Sequence, residues 1–230
     1  MDPTYLATYA PVKYINETEG FLYQRIGVRP PLPITASELQ AHIRVDVPLE
    51  QPDYLNLLIG SVVHYAESYI GLNCLPTQWL TYRDNFEPNA FELRKGYFQS
   101  LQSFQYLARD TMIWTDVDPT LYQVALRPYY SQILLLAEHD YPFRDTARQQ
   151  NAIEIKFTSG LSDIPANFAL DFPDLKIAML DHCAFEYENR GNDIGFVRGD
   201  AVGLPPKIEE VYERYKVPAA FGGVIFNINW

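Results

Sequence analysis

Cysteine pairs, long apolar runs, a surplus of basic charge and the familiar catalytic signatures are all missing from this 230-residue sequence. No uninterrupted apolar stretch approaches the roughly 20 residues of a membrane helix. The start, Met1-Asp2-Pro3-Thr4, lacks the basic and apolar regions of a signal peptide, so the Asn16-Glu17-Thr18 sequon carries no meaning. The two cysteines, Cys74 and Cys183, stand without partners at metal-ligand spacing and read as small buried hydrophobes. Eighteen basic residues against twenty-nine acidic ones leave a formal charge of −11, which opposes a broad phosphate-neutralising surface and disfavours sequence-specific DNA binding. There is no phosphate-binding Gly-rich loop, no His-Glu-x-x-His helix, no Gly-x-Ser-x-Gly elbow and no Cys-x-x-Cys pair.

What is present is 47% apolar content, enough for a sizeable core, and seventeen tyrosines, which suit large contact surfaces. The expected fold class is α+β: a helical bundle formed by the N- and C-terminal halves, with an inserted small β module and extended terminal arms. Residues 1–32, rich in Tyr and Pro and closing on Arg29-Pro-Pro-Leu-Pro33, read as an extended N-terminal arm. Residues 33–73 and 161–216 read as the helical body. Thr35 with Glu38 forms a capping box, and a second helix is expected over about 52–70. Pro52 suits its first turn and Gly71 its C-cap, and Leu55, Leu58, Ile59, Val62, Ala66, Tyr69 and Ile70 recur at the helical period.

Between 74 and 160 the pattern changes to short runs rich in Tyr, Phe, Val, Ile and Thr, at 77–84, 90–94, 100–107, 111–115, 121–126, 131–136 and 152–158. Alternation is clearest in Ala152-Ile-Glu-Ile-Lys-Phe-Thr158, where Ile153, Ile155 and Phe157 share one face, Glu154 and Lys156 the other. The stretch 127–150 is less regular. Two more helices are expected over 174–190, burying Leu175, Ala178, Met179, His182, Cys183 and Tyr187, and from Pro206, burying Ile208, Val211, Tyr212 and Tyr215. Residues 192–195 and 199–203 read as loop.

Candidate chemistry is sparse. His64 and Glu67 stand at i, i+3, a spacing metal ligands share with many surface pairs. His42 and His139 have no ligand cluster nearby. His182, next to Asp181 and one turn before Glu186, fits either a core histidine or the general base of a small hydrolase or nuclease. Glu209 and Glu210 fit the wet face of an amphipathic helix.

The last fourteen residues, Val217 to Trp230, carry no charge. This C-terminal docking tail, 217–230, is too short to form a core and too apolar to be left in water, so it is expected to dock into another protein. Phe226-Asn-Ile-Asn-Trp230 alternates like a strand with one buried face, with Phe221, Val224, Ile225, Phe226, Ile228 and Trp230 as binding residues and Gly222-Gly223 as a flexible joint. Burying Phe226, Ile228 and Trp230 yields roughly 1.5–3 kcal/mol each, and fixing five backbones costs roughly 1–2 kcal/mol apiece. One tail is therefore expected to bind weakly unless backbone pairing contributes, whereas several tails presented together gain from high effective concentration.

Taken in order, Leu32-Pro-Ile-Thr-Ala-Ser-Glu-Leu-Gln-Ala-His-Ile-Arg-Val-Asp46, Ala66-Glu-Ser-Tyr-Ile-Gly71, Gln78-Trp79, Tyr122-Gln-Val124, Asn151-Ala-Ile-Glu-Ile-Lys-Phe-Thr-Ser-Gly160, Ile164-Pro165, Tyr187-Glu-Asn-Arg190 and Leu204-Pro205 resemble the head–tail connector, or adaptor, proteins of tailed bacteriophages. These are the gp6-like and gp8-like connectors, also found in gene transfer agents. The resemblance spans about 33–216; the arm before Phe21 and the 127–150 stretch depart from it. It implies a virion protein of the head–tail junction, assembled in the host cytoplasm, with no enzymatic activity and no cofactor or metal. It further implies a homo-oligomeric ring, usually of twelve subunits, beneath the portal protein and facing tail or neck proteins, with DNA passing through the channel. The acidic charge fits either a wall that does not hold phosphate or simple solubility.

Overall fold

Local chemistry sets the first helix. The Thr35 hydroxyl accepts the Glu38 amide at 3.2 Å while the Thr35 amide donates to the Glu38 carboxylate at 2.8 Å, which satisfies donors that the first turn leaves orphaned. The computed structural model describes residues 13–15, 22–44, 52–86, 90–95, 97–127, 129–136, 145–189 and 203–218. Its helices are α1 (Ala36–His42), α2 (Pro52–Ile70), α3 (Pro165–Asp171), α4 (Pro173–Glu188) and α5 (Pro206–Tyr215). None of them is long and apolar enough to cross a membrane.

Helix α2 supplies the apolar stripe expected of it: Leu55, Ile59, Val62, Val63, Ala66 and Ile70 are buried. It stops at Gly71, whose φ of 77° lies in the left-handed region that a Cβ disfavours. These side chains form one hydrophobic cluster with Leu39 of α1, Leu175, Ala178, Met179 and Cys183 of α4, and Ile208, Val211 and Tyr212 of α5. At roughly 1.5–3 kcal/mol per large apolar side chain, shared burial rather than helix propensity holds these short elements. Helix α3 was not foreseen. Asp163 Oδ1 accepts the Ile164 amide and the Asn167 side-chain amide, both at 2.8 Å, and Phe168 is buried.

The strands are β1 (Lys13–Ile15), β2 (Leu22–Ile26), β3 (Thr77–Arg83), β4 (Ala90–Leu93), β5 (Phe98–Leu107), β6 (Trp114–Asp116), β7 (Tyr122–Leu126), β8 (Ser131–Leu135) and β9 (Ile153–Ser159). They form a six-stranded sheet in the order β1-β2-β3-β9-β5-β6 and a three-stranded sheet in the order β4-β8-β7, both antiparallel throughout. A second cluster fills them, with Tyr23, Trp79, Phe104, Ile153, Ile155 and Phe157 from the larger sheet and Phe91, Leu93, Ile133 and Leu135 from the smaller.

One expectation needs correcting. Segments 13–15 and 22–26 fall within the supposed arm, yet β2 pairs with β3 in the register Tyr23↔Thr81 and Arg25↔Trp79, so the larger sheet draws strands from both sides of α1 and α2. Tyr23 explains the placement: it is 1% exposed and packs edge-on to Phe157. Glu154, on the face opposite Ile153, Ile155 and Phe157, is also enclosed. It is 7% exposed, accepts the Tyr82 hydroxyl at 3.1 Å and pairs with Lys156 at 2.6 Å.

The chain leaves the helices at 71–76 and returns at 160–164. These crossings bond to each other, Leu161 N donating to Asn73 O at 2.8 Å and Ser162 N to Cys74 O at 3.1 Å. Gly160 allows the close approach, since a Cβ there would lie 2.7 Å from the Leu75 carbonyl carbon. The loop readings at 192–195 and 199–202 lie outside the described residues.

Candidate functional site

The expected docking residues Phe221, Val224, Ile225, Phe226, Ile228 and Trp230, with the joint Gly222-Gly223, lie outside the described residues. The root of that segment lies within them, and it is fixed. Val217 is 4% exposed, its amide donates to the Ile70 carbonyl at 2.8 Å, and it belongs to the helical cluster. The uncharged stretch therefore begins as part of the chain's own core.

Around this root, α5 is tied to its neighbours. Tyr69 of α2 donates to Glu213 at 2.6 Å, Lys216 reaches the same carboxylate at 2.8 Å, and its ammonium sits 4.7 Å from the centre of the Tyr69 ring. Tyr215 donates to Asp174 at 2.6 Å and Arg214 pairs with the same side chain at 3.3 Å. Burial, the carboxylate bond and its charge push the Tyr215 hydroxyl up to about 12. Lys216, followed by the Tyr69 hydroxyl, holds the Glu213 carboxyl below its ordinary value. The end of α5 is thus tied to both α2 and α4.

His182 does not gather a catalytic group. Its Nδ1 lies 3.2 Å from the Tyr212 hydroxyl, the ring packs edge-on to Tyr65, and burial lowers its pKa to about 4. Glu186 approaches Nε2 only to 3.7 Å and is half exposed. Asp181, the other expected partner, turns away: successive helix positions face different directions. It binds His42 Nε2 at 2.9 Å and Lys207 at 3.4 Å, joining α1, α4 and α5. A neutral, enclosed imidazole bonded to a tyrosine fits a core histidine.

Glu67 is likewise structural. It accepts the Cys74 amide at 2.9 Å and faces Arg25 at 3.7 Å, and burial raises its pKa against both. His64 falls below its ordinary value through burial and the nearby Arg25 and Arg29. No group of three or more potential ligands for a metal ion occurs among the described residues. Cys74 and Cys183 are free and buried, and burial pushes the Cys183 thiol up to about 12. One cleft, about 370 Å³, lies between Asp84, Asn85, Phe86 and residues 146–150. Its Asp84 carboxylate accepts the Asn151 amide at 2.8 Å, a bond that ties the end of β3 to the start of β9.

Exposed large apolar side chains are scattered, Val28, Leu57, Leu126 and Leu170 among them, and three are consecutive in sequence. The turn between β5 and β6 exposes Met112, Ile113 and Trp114 beside an edge strand. That surface was missed because the run 111–115 read as a strand; residues 109–112 are a turn, with Met112 at φ 55°.

Five helices and two antiparallel sheets among the described residues make an α+β fold. Solved structures share this fold. A chain in the neck of an empty gene transfer agent particle, computed with C6 symmetry, superposes with a TM-score of 0.67, at 14% identity, over 85% of this chain and 95% of that one. A chain of the native gene transfer agent virion gives 0.65, and one from the native neck, computed with C12 symmetry, gives 0.61, with the same identity and coverage. No protein-family model and no curated protein sequence matches the chain.

Proposed function

We propose that this protein is a structural component of the neck of a phage-like particle, a head–tail adaptor that forms a ring, of twelve subunits by the connector resemblance, beneath the portal and joins head to tail around the DNA channel. The observation that carries the reading is the fold shared with chains of gene transfer agent necks over 85% of this sequence. The order of motifs from Leu32 to Pro205 supports it independently of the coordinates.

Residues 219–230 dock on the portal through Phe221, Val224, Ile225, Phe226, Ile228 and Trp230, the strand form pairing with an exposed edge or groove. Val217 supports this division of labour. With the root held beside Ile70, each subunit presents its segment from one position, so a ring offers its tails in register with a symmetric partner. The net charge of −11 fits a passage through which phosphate slides without being held.

Electron microscopy of the full-length protein mixed with portal particles tests the reading. A ring on the narrow end of the portal is expected. A well-folded protein that leaves the portal bare, with no ring under any mixing condition, defeats it.

A further inference from the structure

The six-stranded sheet has two edges, and among the described residues no strand covers the outer side of either β1 or β6. Every neighbouring pair in it is antiparallel and the strand number is even, so β1 and β6 run in opposite directions. Setting the β1 edge of a second copy beside β6 continues the alternation without inverting either molecule. An edge-to-different-edge contact of this kind is heterologous: repeated, it makes a ring where the rotation between copies closes and an open filament where it does not.

The backbone at β6 is arranged for it. Ala108 N donates to Ile113 O and Val117 N to Phe104 O, both at 2.9 Å, so residues 113, 115 and 117 turn their amides and carbonyls toward β5. By alternation, Trp114 and Asp116 turn theirs outward. Exposed edges are a hazard that proteins usually blunt with lysine, proline or a bulge. At three residues with one carboxylate, β6 is only partly blunted, and it carries Met112 at 54%, Ile113 at 63% and Trp114 at 38% exposure at its start.

Charge completes the match. Strand β6 reads Trp114-Thr115-Asp116 and β1 reads Lys13-Tyr14-Ile15, each one charge and two strand-forming residues, with opposite signs. Antiparallel pairing in register brings the Lys13 position opposite Asp116 and the Ile15 position opposite Trp114, and cross-strand pairs of these types are favourable.

We infer that β6, with its apolar Met112–Trp114 flank, is the subunit–subunit contact of the ring and takes β1 of a neighbouring copy as its next strand. This rests on the ring reading above and adds which surfaces meet.

The test is a charge exchange in the full-length chain. Asp116→Lys sets like charges opposite each other, and Lys13→Asp with Asp116→Lys restores the pair. Assembly is read by mass photometry of the protein alone and by electron microscopy with portal particles; circular dichroism melts verify the fold. The expected result is that Asp116→Lys raises the concentration needed for half-assembly at least about fivefold and the double variant recovers it. Asp116→Pro, which removes an outward amide and leaves the β5 pairing intact, gives a folded protein without rings. Rings that survive Asp116→Pro overturn the inference and leave the adaptor reading standing, as does failure of Lys13→Asp to rescue. So does loss of portal recruitment with self-association unchanged, which assigns the edge to another partner. Wild-type protein that makes no ring, alone or on the portal, overturns both.

Discussion

The Val217 amide donates to the Ile70 carbonyl at 2.8 Å, where a Cβ on Gly71 would lie only 3.6 Å from the valine side chain. The last carbonyls of a helix ordinarily lack partners. Here the residue that follows α5 supplies one, so the end of α2 and the start of the uncharged segment are fixed together.

Val217 and the residues beyond it should therefore behave differently. Val217→Ala is expected to lower stability by about 1–3 kcal/mol in urea denaturation, the range for a buried methyl-bearing side chain. Ile225→Ala and Trp230→Ala should leave the urea midpoint unchanged and weaken binding to portal particles. An equal stability loss at Trp230 would mean that residues 219–230 belong to the core.

Gly160→Ala should destabilise the crossing between helices and sheet. The new Cβ would meet Leu75 C at 2.7 Å, Leu75 O at 2.8 Å and Pro76 N at 2.9 Å, all backbone, which cannot swing aside. The expected loss is about 1–3 kcal/mol or more, seen as a lower melting temperature. An unchanged melt would show that the two crossings can separate freely.

Arg25 and Glu67 couple β2 to α2 across 3.7 Å, with side chains 20% and 14% exposed. Arg25→Met leaves an enclosed carboxylate without its cation, at a cost of roughly 1–3 kcal/mol. Adding Glu67→Gln removes that charge while its side-chain oxygen still accepts the Cys74 amide, so the double variant should recover part of the loss. A double-mutant cycle reads the coupling, and strict additivity would refute it.

His182 makes stability depend on pH in a defined window. Burial lowers its pKa from 6.5 to about 4, so the unfolded chain binds the proton more readily than the folded one between those values. Its contribution is full above pH 6.5 and is lost as pH falls toward 4, with an upper limit of roughly 3 kcal/mol. His182→Gln, compared with wild type by denaturation from pH 4 to 8, should flatten that window and change little above pH 7. Equal slopes would show that His182 is solvated.

Much of the helical layer was readable because its signals are local. The Thr35–Glu38 box, Pro52, Gly71 and the stripes of α2, α4 and α5 all sit within one or two turns of the residues they control. The outer strands were not, since β2 gains its meaning from Thr81 and Trp79, more than fifty positions away, and Leu22-Tyr-Gln-Arg-Ile26 shows no clean alternation. Helix α3, at seven residues, is too short for periodicity to mark. Asp181 and His182 show the opposite hazard: adjacent in sequence, they bond to different elements, and only coordinates separate them. The edge chemistry of β6 was hidden because it depends on which pairs of β5 and β6 exchange amides.

Strand β9 lies between β3 and β5, and those two strands do not pair with each other. A chain made from its N-terminus onward therefore carries an open slot in its largest sheet until residue 159 has emerged from the ribosome. At about 5–20 residues per second, the fifty-two residues from Ala108 to Ser159 that follow β5 keep that slot vacant for some seconds. Nascent chains crowded on one message thus pass through an interval in which a neighbour's strand could enter the gap, and slowing translation after β5 would lengthen it.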